Sequence, residues 1–437
     1  MVTCVWYRIV MKIEYLFLFL ILGIAGCSSP ASFSEIEPAN DVQAWTEFGP
    51  QSQLIARALT FSPTCPSIQL KKQTLSMKTR TEPNGGFPRV CEAVLPAGVQ
   101  SAELLGRSLK LLNTEPKKIV VFGDTGCRIR IIPGKIEAIQ DCSKAETWPF
   151  AKMAHVASQW NPDLVIHLGD YLYRESACPQ GNKGCKDSPW GNGWEVWKAD
   201  FFDPARVLLN AAPWIFVRGN HESCSRAADG WFRALDPSAF SSTCRDDTPS
   251  YFVQLGSLKM AILDSSSAID REVSEPQVKM IENLLKQIEK SVPQVDWLLT
   301  HKPVWAGQHL ETGKSQIYSQ TLLAAVEKTS LFSSLQLLMA GHVHFFSVMN
   351  FVGGGPIQMT SGNGGTELVT VSGIFKEGDR IHKRVIQKNI LVEKFGFLTL
   401  EALGEPQSWK VTERDVDGIP ILSCVLKKKK LTCESID

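Results

Sequence analysis

The chain has 437 residues, enough for two or three domains with full cores, and its hydrophobic fraction of 44% is ordinary for a globular protein. Lys and Arg number 46 against 45 Asp and Glu, so the net charge of +1 provides no basic footprint for nucleic acid. Near-neutrality does not exclude a small anionic substrate, because a bound metal can supply positive charge locally.

The N-terminus reads as a targeting segment. Tyr15 to Ala25 is an apolar run of eleven residues behind Lys12. A transmembrane helix needs roughly 20 residues, and the shorter run fits the apolar region of a signal peptide. It ends in Ile24-Ala25-Gly26-Cys27, which resembles a bacterial lipobox with a lipidated Cys27. A plain cleaved signal with an incidental Cys27 is the other reading. Residues 1–27 are therefore expected to direct export to the bacterial cell envelope. A lipid on Cys27 would hold the protein in the periplasm or at the outer membrane. Met11 would give a more usual signal length than Met1.

Residues 28–40 are rich in Ser, Pro and Ala and read as a flexible tether. Residues 41–115 contain short β-like runs, among them Leu54–Phe61 and Val90–Leu95, separated by turn signals such as Pro83-Asn84-Gly85-Gly86. They predict a small, sandwich-like β domain, and no residue set in it suggests chemistry. The remainder, 116–437, is expected to be the main domain together with C-terminal strands.

From Lys117 onward, short apolar runs alternate with helical stretches. The runs are Ile119–Phe122, Leu164–Leu168, Trp214–Val217, Lys259–Leu263, Val295–Leu299 and Leu335–Met339. Glu275 to Lys290 reads as a helix, with Val278, Ile281, Leu284, Leu285 and Ile288 at helical spacing. Ser274 with Gln277 resembles a capping box. This alternation predicts an α/β domain with mostly parallel strands. Glu175 to Asn192 is an insertion rich in Gly, Pro and Lys that is expected to lie over the site proposed below or to be an unrelated surface loop. Phe395 to Cys433 reads as strands joined by turns such as Asp417-Gly418, with Lys427 to Lys430 as a solvated strand end.

The chain has twelve cysteines. Without Cys4 and Cys27, ten remain as near neighbours: Cys65/Cys91, Cys127/Cys142, Cys178/Cys185, Cys224/Cys244 and Cys424/Cys433. Five local disulfides in an oxidising compartment are expected. A zinc cluster is the alternative, but no C-x-x-C pair occurs.

Five segments follow apolar runs directly or within a few residues. They are Gly123-Asp124-Thr125-Gly126, Gly169-Asp170-Tyr171-Leu172-Tyr173, Gly219-Asn220-His221-Glu222, Leu298-Leu299-Thr300-His301 and Gly341-His342-Val343-His344. Open α/β sheets place ligands just past strand ends. Any one segment alone is a polar turn as readily as a ligand set. From them the carboxylates of Asp124 and Asp170, the phenol of Tyr173, the amide oxygen of Asn220 and the imidazoles form a donor set for Fe, Zn or Mn. Four of the eight histidines fall in these segments, while His155, His167 and His382 read as structural or surface residues.

The order and spacing of the five segments resemble the purple acid phosphatases of the calcineurin-like metallophosphoesterase superfamily, over roughly Ile119 to Phe397. The wider superfamily has D-x-H in the first segment. Here Gly126 stands in place of that His, and Tyr173 supplies the replacement ligand. The resemblance implies a four-layer α/β/β/α sandwich, preceded here by the small N-terminal β domain. It implies that Asp124, Tyr173 and His344 bind Fe(III), and that Asn220, His301 and His342 bind a divalent Fe, Zn or Mn. Asp170 bridges the two metals. His221 is the implied acid for the leaving group, and His309 is the candidate for a further substrate contact. A metal-bridging hydroxide would attack phosphorus. With Fe(III) the centre keeps net positive charge after Asp124, Asp170, the phenolate and hydroxide are counted, and that charge would attract a phosphate ester. The expected activity is a phosphomonoesterase (acid phosphatase). A phosphodiesterase acting on nucleotides or phospholipids, and a catalytically silent surface-anchored binding protein, are the alternatives.

Overall fold

A computed structural model describes residues 42–132, 134–291 and 294–435. The signal segment, the tether, Cys4 and Cys27 lie outside the described residues. Among the described residues, no helix is long and apolar enough to cross a membrane.

All six apolar runs form parallel strands, divided between two sheets. In the first sheet, Lys118–Phe122, Leu164–His167 and Trp214–Phe216 lie side by side, with Val120 opposite Val165 and Val165 opposite Trp214. In the second, Leu258–Leu263, Trp297–Thr300 and Leu337–Ala340 do the same, joined by the parallel strand Ile357–Ser361. Among the described residues, the first sheet has eleven strands and the second eight.

Strand alternation sends neighbouring side chains to opposite faces. Ile119, Val121, Leu164, Ile166 and Ile215 pack in one cluster with Met260, Ile262, Leu299, Leu337 and Met339 of the other sheet. Val120, Phe122, Val165 and Trp214 pack with Phe150, Met153, Ala154 and Ala157 of the helix Phe150–Gln159. Ala261, Leu263, Leu298 and Leu338 pack with Val278, Ile281, Leu285 and Ile288 of the helix Glu275–Ser291. The order is therefore helix, sheet, sheet, helix. Burial on both faces explains why these strands read as unbroken apolar runs. Each fully buried aliphatic side chain contributes about 1.5–3 kcal/mol.

The C-terminal strands Phe397–Ala402, Ser408–Arg414, Pro420–Lys427 and Lys430–Ser435 extend the first sheet antiparallel from Lys118–Phe122. The lysine run forms the exposed end of the last hairpin, beside the cross-strand disulfide Cys424–Cys433. At the opposite side of that sheet, the N-terminal β region joins through Gln43–Phe48, which runs parallel to Trp214–Phe216. Leu54–Thr60, Arg89–Val94 and Lys78–Thr81 follow outward.

Two arginines anchor the N-terminal strands. Arg57 donates to the carbonyls of Ala234 and Asp236, and Arg80 to those of Phe232, Arg233, Asp236 and Ser238. All five disulfides have the expected local pairing. The capping box does not form. Gln277 instead accepts from the Ile269 amide and donates to the Ser267 carbonyl, and Thr321 Oγ1 takes the Ser274 amide. The loop before the helix folds back and offers Gln277 nearer partners than its own N-cap.

Candidate metal centre

Asp124, Asp170, Asn220, His301 and His342 all lie just beyond the C-terminal ends of parallel strands. Asp124, Asp170 and His342 have φ of +58°, +61° and +72°. Such left-handed backbone costs about 1–3 kcal/mol per residue and persists only where the surroundings over-determine it. Here the Asp124 amide donates to the Gly169 carbonyl, the Asp170 amide to Glu222 Oε2, and the His342 amide to Asp124 Oδ2. Gly219 lets the chain approach closely, because a Cβ there would fall 2.1 Å from Asp170 Oδ1.

The side chains converge. Tyr173 Oη lies 2.8 Å from Asp170 Oδ2, 2.9 Å from Asp124 Oδ1 and 3.1 Å from His344 Nε2. His301 Nε2 lies 3.2 Å from Asp170 Oδ2 and 3.0 Å from Asn220 Oδ1. Asp170, His301 and His342 offer ligand atoms that all fall within 4.8 Å of one another. Asp170 is thus common to a Tyr173 group and a His301 group. At Gly126, a Cβ would meet Tyr171 O and Tyr173 N, each at 2.8 Å, so a larger side chain there would have to displace the backbone that carries Tyr173.

The ring orientations suit metal ligation. His301 Nδ1 lies 2.8 Å from the Leu168 carbonyl, and His344 Nδ1 lies 2.9 Å from that of Glu367. Each ring can donate there and keep Nε2 for a ligand role. His342 Nε2 lies 3.5 Å from Asp270 Oδ2, and Asp270 is held by Lys302 at 2.8 Å.

Charge is concentrated where water is excluded. Burial holds the Asp124 carboxyl well above the usual range. Burial also acts to raise Asp170, but His301 and His221 beside it hold its carboxyl well below that range. Burial, then Asp124 and Asp170, push the Tyr173 phenol well up. His301 is raised to about 9, against its burial, by Asp170. Burial takes His342 down to about 4 and His344 to about 3, which leaves both neutral and able to donate lone pairs. Two carboxyl groups and a phenol in mutual contact, beside the neutral imidazoles of His342 and His344, fit a pair of hard cations, which would take the place of the His301 proton as the positive charge at the centre.

His221 stands beside this group. Its amide donates to Asp170 Oδ1 at 2.8 Å, and Nδ1 lies 3.0 Å from the Leu172 carbonyl and 3.1 Å from Glu175 Oε1. Nε2 is 3.8 Å from Asp170 Oδ2 and 2.9 Å from Arg226 Nη2. Glu175 also pairs with Arg226. The insertion therefore does reach the site, through its first residue.

Two clefts open here. One, of about 340 Å3, is lined by His342 and His344 together with Asp270, Tyr318, Val343 and Ile374. The other, of about 330 Å3, is lined by Glu175, Asn192, Ser225 and Arg226 beside Leu172. His309 is not brought to the centre. Its Nε2 pairs with Asp379 at 3.0 Å and its Nδ1 lies 3.1 Å from Ser315 Oγ, while its neighbour Gln308 lines the first cleft. The pleat of the short strand Gly307–His309 turns adjacent side chains to opposite faces, so Gln308 and not His309 points inward. His167 is structural, between Thr125 Oγ1 and the Gly169 amide, and His155 and His382 pair at the surface with Gln159 and Glu327.

Several residues of the site carry no motif. Glu222 accepts from the amides of Asp170, Tyr171 and Gly219. Asp200 accepts from those of Cys127, Tyr173 and Arg174. Asp270 lies in the loop after the parallel strand Leu258–Leu263 and carries no motif of its own.

The model of the calcineurin-like phosphoesterase family matches residues 117–346. Among solved structures, the chain is similar to a purple acid phosphatase isolated from yellow lupin (Lupinus luteus) seeds, at 14% identity and a TM-score of 0.56, covering 90% of this chain and 74% of that one. It is also similar to PhoD, at 12% identity and a TM-score of 0.51, covering 93% and 94%. No curated protein matches the chain.

Proposed function

The chain belongs to the calcineurin-like phosphoesterase family, and we propose that within this family of phosphoric ester hydrolases it is a binuclear-metal phosphomonoesterase of the purple-acid-phosphatase type. One observation carries the reading: the buried Tyr173 hydroxyl lies within 3.1 Å of Asp124, Asp170 and His344. These four would hold a first metal, Fe(III), for which a phenolate is a suitably hard ligand. Asn220, His301 and His342 would hold a second, divalent metal, with Asp170 common to both.

When bound, such a pair supplies an activated water at mild pH and stabilises charge at phosphorus. The remaining tasks fall to side chains of the protein. Asp170 fixes the place of His221 through its amide. The Leu172 carbonyl and Glu175 engage Nδ1, and Nε2, which faces Arg226 Nη2 as an acceptor, would take up a proton there before giving it to the leaving oxygen. Glu222 and Asp200 tie down the backbone that carries the ligands, so the geometry is set before substrate arrives. Five disulfides support export, and the lipobox-like Cys27 supports attachment to the envelope by lipid.

Metal analysis combined with p-nitrophenyl phosphate and its bis-ester tests the reading. It expects a binuclear centre containing iron and faster hydrolysis of the monoester. A mononuclear or iron-free active enzyme would overturn the metal assignment, and faster diester cleavage would overturn the substrate assignment. Full metal occupancy with no hydrolysis of either ester would make the protein a binder.

A further inference from the structure

The cleft beside His221 has no role yet. We propose that Arg226 and Glu175 select the leaving group there, and that this group is a polyhydroxylated alcohol, a sugar or polyol. The inference rests on the reading that His221 protonates the leaving oxygen. Arg226 Nη2 donates to His221 Nε2 at 2.9 Å, so a leaving alcohol that reaches that nitrogen takes the place of this contact and comes to lie beside the guanidinium. Glu175 pairs with Arg226 on one side and with His221 Nδ1 on the other. Both side chains keep part of their surface open, 24% for Arg226 and 21% for Glu175.

The polar lining selects by chemistry. Arg226 can only donate and ionised Glu175 can only accept, while Asn192 and Ser225 can do both. A hydroxyl also does both, so adjacent hydroxyls can engage the guanidinium and the carboxylate together. An anionic alcohol would meet the Glu175 carboxylate. Among the described residues, an aryl group finds no aromatic ring in the lining of this cleft, whereas Tyr318 lines the other. A guanidinium without a carboxylate partner would suit the phosphoryl group itself, but Glu175 already offsets this charge.

The walls are held in place. Glu175 and Asn192 bracket the loop closed by Cys178–Cys185, and Arg226 lies within the loop closed by Cys224–Cys244. Asn192 Nδ2 donates to the Arg226 carbonyl at 3.2 Å, which joins the two loops across the cleft. Such pre-organisation lowers the entropy lost when a flexible polyol binds.

The test compares glycerol 1-phosphate with phenyl phosphate, monoesters of equal charge, and follows inhibition by inorganic phosphate. In Arg226→Met, the ratio of kcat/KM for the glycerol ester to that for the phenyl ester is expected to fall about 10- to 100-fold, mainly through KM, with phosphate inhibition changed less than about threefold. Asn192→Ala, which does not touch His221, should move the ratio in the same direction at unchanged metal content. An unchanged ratio in both variants overturns the inference. So does an equal loss on both esters with weakened phosphate inhibition, which would place Arg226 on the phosphoryl group. Wild-type protein that hydrolyses neither ester overturns the functional reading itself, a result distinct from either of these.

Discussion

His342 Nε2 lies 3.5 Å from Asp270 Oδ2, whereas His301 and His344 each turn Nδ1 to a backbone carbonyl. On the proposed metal assignment, Asp270 would bring a negative charge to a site whose other unshared ligands, Asn220 and His301, bring none. A carboxylate behind a ligating imidazole orients the ring and raises its basicity. Asp270→Asn is expected to weaken the divalent metal about 10- to 100-fold and to leave iron in place. Chelator competition followed by metal analysis measures this. Unchanged affinity would reduce Asp270 to a partner of Lys302 alone.

His221→Ala should lower kcat on alkyl phosphates by about 10²- to 10⁴-fold with metal content intact. The loss should be smaller on p-nitrophenyl phosphate, whose leaving group departs without a proton. Equal losses on both substrates would remove His221 from proton transfer.

Glu413 is fully buried with Asn363, and burial raises its carboxyl to about 8. The folded state thus keeps a proton that the unfolded chain releases near its ordinary value of 4.5. Stability from this group is present below that value and is lost as pH rises toward 8, by up to about 1.4 kcal/mol per pH unit. Glu413→Gln should flatten that loss in urea denaturation between pH 5 and 8. A variant with the same slope as wild type would contradict the assignment.

Arg57 is fully buried and lies 3.2 Å from the buried Glu47 carboxylate. Arg57→Met would strip that buried carboxylate of its nearest cation and leave the Ala234 carbonyl without its donor, while Arg80 still donates to the Asp236 carbonyl. A cost of about 3–5 kcal/mol is expected in denaturant unfolding. A change below about 1 kcal/mol, the size of a surface ion pair, would show that Arg57 is not an anchor of the N-terminal strands.

The strands and most of the side chains that converge beside them were legible because chemistry and pattern coincide. Each of the five candidate segments follows an unbroken apolar run, and burial on both sheet faces makes those runs conspicuous. Glu175, Arg226 and Asp270 were not legible. They come from loops, and only the fold brings them to His221 and His342. The docking of Gln43–Phe48 against Trp214–Phe216 was hidden for a similar reason, since pairing across so many residues leaves no local mark. His309 failed because sequence offset does not say which way a short strand turns its side chains.

The visible spectrum of the purified protein tests the central claim most directly. If Tyr173 ligates iron beside Asp124, Asp170 and His344, iron-loaded wild type shows a broad tyrosinate-to-iron absorption band. Tyr173→Phe should lose that band while keeping most of its iron. An iron-loaded wild type with no such band, or a band that persists in Tyr173→Phe, would contradict the account.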